Sequence, residues 1–513
     1  MTEQSANNKR IAKNTIFLYF RMLLMMAVNL YTSRVILQVL GVEDYGIYNV
    51  VGGVVSLLSI ISSSLSTATQ RFITFGLGKN DRDYLCRVFS ISIYIHIAMC
   101  ILIVVLAESI GLWFLGTELQ IPLDRANATM WVYQCAVVSS VIMIMSVPYN
   151  ATIIAHEKMG AFALISLLEV FLKLGIVYLL LLFSVDKLIL YAILLVATQL
   201  CVRCSYTIYC KKHFEETKIQ KVKDVALVKE IGLFSMWSLM GNAAYVSYTQ
   251  GLNVLLNMFF APTVNAARGI AVQVQSTVNQ FVQSFQTALN PQIIKSYASA
   301  DLPYMYNLVF RSARFSFFML LILSLPILIE TETILNLWLT FVPENTITFL
   351  RLILLTTWIN SIANPLVVSV KATGKVKRYE LIIGVIMLLI LPISYIFLKL
   401  GYPPYIVFVV HLCMECVAQI ARIFITRNLI GFSVFSFFKS VIFRIVSVVS
   451  VALVIPLCLF IYLDDSILSF LSVCFSSVVS CILSIYLLGL TNNERIMIVN
   501  KARSFCYNFK KKY

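Results

Sequence analysis

Residues 86–115 read CRVFSISIYIHIAMCILIVVLAESIGLWFL, and only Arg87 and Glu108 among them are formally charged at neutral pH. A helix of that length reaches about 45 Å at about 1.5 Å per residue, enough to cross a hydrocarbon core of about 30 Å. Working outward, thirteen further apolar runs are bounded by charges and turn residues. The fourteen lie near 14–40, 45–69, 86–115, 129–155, 161–184, 188–210, 231–260, 263–290, 304–329, 347–370, 379–399, 403–426, 436–463 and 466–490. No stretch outside them is long enough for a separate soluble domain. Of the 513 residues 60% are apolar and 12% charged, with a mean hydropathy of +0.87. Soluble domains carry about 25% charged residues. That shortfall excludes a string of soluble domains, a disordered chain and a disulfide-stapled one. The expected fold is an all-α integral membrane protein of about 14 transmembrane helices.

Basic residues set the expected orientation. With the N-terminus inside, 31 of the 40 Lys and Arg fall on inner segments, three (Arg125, Lys187, Lys399) on outer loops and six within spans. One missed crossing would invert every later loop, so the bias supports an even count with both termini cytoplasmic. The same bias, beside an anionic leaflet, accounts for the net charge of +16 without a nucleic-acid partner. The polar start Met1–Arg10 precedes a long apolar run holding Arg21 and Arg34, which reads as a retained first span and not a signal peptide.

The chain also repeats itself. Leu112-Trp113 after Glu108 recurs as Leu337-Trp338 after Glu332. Pro148 followed by Ala155-His156-Glu157-Lys158 recurs as Pro365 followed by Ala372-Thr373-Gly374-Lys375, and Arg87-Val88-Phe89 aligns with Leu308-Val309-Phe310. The three matches keep the same order and nearly the same offset. A period of six spans preserves orientation, so the halves should be related by a pseudo-two-fold along the membrane normal. The expected organisation is a cytoplasmic N-terminus (1–13), a six-helix bundle (14–210), a linker (211–230), a second six-helix bundle (231–427), an appended helix pair (428–490) and a basic tail (491–513).

Three spans carry polar stripes. In the eighth, Asn265, Arg268, Ser276, Asn279, Gln283, Gln286 and Asn290 gather on one side of an ideal helix. Its repeat mate, the second, shows Asn49, Gly52, Ser56, Ser59, Ser63, Ser66 and Gln70. The seventh shows Ser235, Ser238, Asn242, Thr249, Asn253 and Asn257. Amides lack partners in lipid, so such a stripe faces either a wet cavity or neighbouring helices. Arg268 lies on the stripe. Arg21 shares a face with Thr32 and Asn29, and Arg34 points elsewhere. Cavity arginines suit an anionic ligand, because guanidinium grips phosphate or carboxylate in bidentate fashion. The acids within spans are Glu169 and Glu415. Glu169 is paired by its spacing with Lys173, one helical turn on.

Catalytic signatures are missing. The pairs Cys201/Cys204 and Cys413/Cys416 lie in apolar helices without partner ligands and read as free thiols, so no metal site is expected. No Walker loop, nucleophile elbow or HExxH motif occurs, so the chain is not expected to be an enzyme.

One local pattern bears on family. Ser33-Arg34, then Leu40-Gly41, then Tyr45-Gly46-Ile47-Tyr48 resembles the N-terminal signature of polysaccharide transporters. These are the O-antigen and capsule flippases (Wzx type) of the multidrug/oligosaccharidyl-lipid/polysaccharide (MOP) exporter superfamily. The resemblance implies a MATE-like fold with a V-shaped cavity between two bundles, in a bacterial inner membrane. It also implies a polyprenyl-pyrophosphate-linked glycan as cargo, moved from the cytoplasmic to the periplasmic leaflet, with a polysaccharide polymerase and chain-length regulator as partners. Lipid II flippases keep cavity arginines on spans that include the first and eighth, which here hold Arg21, Arg34 and Arg268. Asn242, Asn265, Asn279, Gln283 and Gln286 would then meet sugar hydroxyls. No cofactor is implied. Coupling to H+ or Na+ would fall to Glu169 or Glu415, since the acidic partner often found in span 1 is missing. The rival readings are a MATE-like cation-coupled small-molecule exporter, and a membrane polysaccharide polymerase or glycosyltransferase. The latter usually carry a long outer loop that this chain lacks.

Overall fold

The computed structural model describes residues 3–56, 59–117, 123–183, 185–260, 262–339, 341–464, 466–492 and 494–496. The side chains of Asn49, Ser56 and Ser59 and the tail beyond residue 496 lie outside the described residues. Regular structure among the described residues is entirely helical. The first half comprises α1 (Glu3–Ser56), α2 (Ser59–Lys79), α3 (Arg82–Leu106), α4 (Ala126–Ala155), α5 (Met159–Leu182) and α6 (Lys187–His213). The second comprises α7 (Val225–Phe259), α8 (Pro262–Ala298), α9 (Leu302–Ile329), α10 (Thr346–Ser361), α11 (Ala363–Thr373), α12 (Lys377–Leu388), α13 (Ile390–Lys399) and α14 (Ile406–Ile430). A final pair, α15 (Phe443–Tyr462) and α16 (Ile467–Ser484), follows.

Among the described residues eleven helices are long and apolar enough to cross a membrane, which makes this a multi-pass membrane protein. They coincide with eleven of the fourteen runs read from the sequence. Of the other three, runs 7 and 8 fall short because they carry polar stripes, and run 2 extends across residues outside the described set. Averaging amides and hydroxyls with apolar residues lowers the hydropathy of a helix without shortening it: α7 has 35 residues and α8 has 37. Runs 1 and 2 part at Gly41, whose φ of 81° and ψ of 170° break α1. Glycine adopts that conformation without the steric cost a Cβ would add.

The repeat is written in the turns. Asn80 and Ala300, one repeat apart, both take left-handed backbones at φ 55° and 59°. Each precedes an aspartate that caps the next helix: Asp81 accepts from the amide of Tyr84 at 2.9 Å, and Asp301 from that of Tyr304 at 3.2 Å. Glu157 (φ 58°) and Gly374 (φ 78°) form a second such pair, aligned in the sequence by the neighbouring Lys158 and Lys375.

Two compact units emerge. Unit 1 holds residues 1–245 with 287–305 and 370–384, and unit 2 holds 246–286, 306–369 and 385–513. In unit 1, Ile36, Leu40, Ile176, Val177, Leu180 and Tyr191 form one apolar cluster across α1, α5 and α6. A second cluster joins α4 and α6 through Val132, Val137, Leu188 and Ala192, and includes Tyr133. The Tyr133 hydroxyl donates to the carbonyl of Ala107 at 2.7 Å. There the helix widens into a π turn (Ala107–Gly111) that frees carbonyls from the helical ladder. In unit 2, Val278 and Val282 of α8 pack on Leu320 of α9.

Candidate substrate cavity

Within unit 1, α1, α4, α5 and α6 enclose a cavity of about 540 Å³. Its aromatic wall is Tyr45, Tyr48 and Tyr191, with the rings of Tyr48 and Tyr191 meeting edge to face at 5.0 Å between centroids. Asn29, Thr32 and Gln199 supply polar groups, and Lys173 is the charged side chain in the lining. Lys173 Nζ sits 2.7 Å from Glu169 Oε1, the pair expected from their helical spacing. Asn29 and Thr32 are the residues whose face periodicity assigns to Arg21. The Arg21 guanidinium itself lies over the Phe162 ring, 4.4 Å from its centroid, and its buried Nε has no hydrogen-bond partner among the described residues.

The ends of these helices next to the Gly41 break are tied by charge. Arg125 donates to both oxygens of Asp44, just past that break, and through Nη1 to Asp186 at 2.7 Å. The Asp44 and Asp186 carboxylates hold the Arg125 guanidinium above its ordinary pKa, the Asp44 hydrogen bonds being the larger cause. Asp186 also caps α6, accepting from the amides of Leu188 and Ile189. The break in α1 and the starts of α4 and α6 are thereby fixed at one point.

No protein-family model matches the chain, and no curated protein matches it by sequence. Solved structures do match in fold. A MATE in the bent conformation superposes with a TM-score of 0.72 at 13% identity, covering 83% of this chain and 96% of its own. An outward-facing multidrug resistance MATE family transporter of the MOP superfamily gives 0.70 at 14% identity over the same shares. The MATE transporter ClbM in complex with Rb+ gives 0.66 at 15% identity, covering 84% and 96%. The chain has the fold of the MATE transporters.

The remaining candidates are distributed through this MATE fold as follows. Arg268 is 7% exposed in unit 2. It donates through Nη1 to the side-chain oxygen of Asn253 and through Nη2 to the carbonyl of Thr249 at 3.0 Å, both on α7. Asn265 donates to the Asn253 carbonyl at 3.1 Å. Gln286 is buried, donating to Ser316 at 3.0 Å and to the Ser361 carbonyl at 3.2 Å. Asn279 is half-buried, Gln283 exposed and Arg34 exposed. Asn242, in unit 1, donates to Ser63 and Ser64 of α2 at 3.3 and 2.8 Å. Glu415 is 1% exposed and pairs with Arg422 at 2.5 Å on the same helix. The structure thus brings the Asn29 and Thr32 face to the unit 1 cavity, with Glu169 behind it on the lining residue Lys173, and sets Arg268, Asn265, Gln286 and Glu415 in unit 2.

Sequence reading misses the tyrosine wall. Tyr45 and Tyr48 serve there only as family signature, although two tyrosines just past one glycine signal an aromatic surface, and Tyr191, far off on α6, gives no local sign of joining them. It also misses Arg422 as the partner of Glu415, because Arg422 reads as one more inner-side cation. Among the described residues no cluster of three or more His, Cys, Asp or Glu is placed to hold a metal ion.

Proposed function

We propose that the chain is a membrane exporter working by alternating access, with the unit 1 cavity as its cargo site. The observation that carries this is a partly polar chamber of about 540 Å³ walled by tyrosines in a chain of MATE fold. Ligand sites are commonly concave, mostly apolar and furnished with a few placed polar groups, and this chamber has that make-up. The favoured cargo is a small molecule, as for the multidrug resistance MATE transporter of the same fold. In this reading Glu169 is the coupling carboxylate, because it touches the chamber through Lys173. Glu415 is committed to Arg422.

A second reading, export of a polyprenyl-pyrophosphate-linked glycan alongside a polymerase, is favoured by the lining itself. It contains Lys173 and no carboxylate among the described residues, and tyrosine, asparagine and glutamine suit sugar faces and hydroxyls. Lys173, with Arg21 of the same unit, would then serve the pyrophosphate.

The test fills the chamber. Ser139→Trp should abolish export while the protein reaches the membrane in normal amount. Lys173→Met should discriminate cargo. Measured as cargo exchange across vesicles without an ion gradient, so that coupling through Glu169 does not enter, it should impair an anionic, lipid-linked cargo by at least tenfold and affect organic cations little. Normal export of every cargo by Ser139→Trp would remove the chamber from the transport path.

A further inference from the structure

The turn between α4 and α5 sets Glu157 at φ 58°, a backbone state that suits glycine or asparagine better than glutamate. Its carboxylate supplies a reason for glutamate to be there. The side chain is 0% exposed and lies 2.6 Å from Lys295 Nζ and 2.7 Å from Arg10 Nε. Gln292 Nε2 donates to it at 2.6 Å. The Glu157 carbonyl accepts from Asn14 Nδ2 at 3.1 Å. The donors come from α1 and from the end of α8, remote from Glu157 in sequence on either side.

The matching turn of the second repeat is held by the mirror device. Arg71, at the end of α2, donates to the carbonyls of Lys371 and Ala372, each at 3.1 Å. Its guanidinium is buried over Phe72 and Phe75, 4.3 and 4.7 Å from their ring centroids. A Cβ on Gly374 would stand 2.8 Å from Arg71 Nη2 and push the guanidinium aside, and the φ of 78° favours glycine there as well. Arg71 and Gln292 occupy nearly equivalent positions in the two repeats. Each half's polar-striped helix therefore reaches into the other half's turn. The two helices also touch: a Cβ on Gly78 would fall 2.6 Å from that of Ala298. All these residues belong to unit 1, at helix ends that the charge bias assigns to the inside.

We propose that the Glu157 and Arg71 nodes form a reciprocal latch that closes the inner side of the transporter and has to open before cargo can enter from within. The proposal rests on the exporter reading above. A buried carboxylate is stable only while its donors stay in place. Withdrawal of the α8 end removes two of Glu157's side-chain partners together and admits water to the charges left behind, so the latch opens as a unit.

Hydrogen exchange of the purified full-length chain in phosphatidylglycerol-containing nanodiscs reads the latch without cargo. Glu157→Gln and Glu157→Gly should each raise exchange at least tenfold over residues 287–298 and 155–159, leaving α15 and α16 unchanged. The glycine variant is the discriminating one. It relaxes the left-handed backbone, so a purely conformational role for residue 157 predicts unchanged or slower exchange. Unchanged exchange in either variant overturns the latch, and so does a rise spread through the whole chain. Failure here leaves the chamber-filling test standing, and failure of that test does not alter the exchange result.

Discussion

Replacing Arg422 with methionine tests how this protein keeps a carboxylate inside a helix bundle. Glu415 and Arg422 are 1% and 6% exposed, and their charged atoms are 2.5 Å apart. At that distance, with an effective dielectric constant of about 20, the attraction is roughly 7 kcal/mol. Desolvation of the two ions offsets most of it. Removing one partner strands the other, at an expected cost of about 3–5 kcal/mol, whereas removing both is close to neutral. Arg422→Met alone should therefore lower the apparent unfolding midpoint strongly, and Glu415→Gln with Arg422→Met should recover to within about 1 kcal/mol of the parent. Unfolding of a large membrane protein is commonly irreversible, so the midpoints are compared at one scan rate in one detergent. A double variant as unstable as the single one would show that stranding the Glu415 carboxylate is not what destabilises the single variant. Retained export in the double variant would confirm that Glu415 serves structure and not ion coupling.

Gly111→Ala would drive a methyl into the Tyr133 hydroxyl. The tyrosine would leave the Ala107 carbonyl, and thermal scans should show a loss of about 1–3 kcal/mol. Arg125→Gln leaves Asp44 and Asp186 facing each other; because Arg125 is 23% exposed, the expected loss is only about 1–2 kcal/mol and should shrink in high salt. Glu216, on the loop after α6, gives a pH prediction. Burial pushes its pKa up, but the hydrogen bond to His156, with further help from its own backbone amide, outweighs this and holds it below the ordinary value. Its stabilisation is thus full above the ordinary carboxylate range and lost as pH falls through the depressed value. Proteolysis of residues 213–218 should accelerate in acid, and Glu216→Gln should flatten that dependence.

Composition, charge bias and periodicity carry most of the fold. The fourteen runs are legible because apolar length is a one-dimensional property, and eleven of them coincide with helices long and apolar enough to cross a membrane among the described residues. The duplication is legible from weak matches sharing an offset, and the paired turns at Asn80/Ala300 and Glu157/Gly374 have a common structural basis. What lies against each stripe is not legible. Periodicity places Arg268 and Gln286 on one face, but α7 holds the first, whereas Ser316 and the Ser361 carbonyl hold the second. Glu157 reads in sequence as one charge in a short polar turn. Its partners Arg10 and Lys295 lie far off along the chain in opposite directions, and nothing local announces them. The matched turns offer the one signal, a glutamate standing where the other copy has glycine.

The bonds from Arg268 to α7 bear on how the chain is made. An arginine at the centre of a helix that enters the bilayer alone costs about 2.5–3.5 kcal/mol on insertion scales. Arg268, the seventh residue of α8, carries a smaller share of that cost because it stands nearer the helix end. The acceptors Asn253 and Thr249 are synthesised 15 and 19 residues earlier, on the preceding helix. If α7 and α8 leave the translocon as one hairpin, the guanidinium arrives with its acceptors alongside, and a pair too polar to partition helix by helix becomes admissible as a unit.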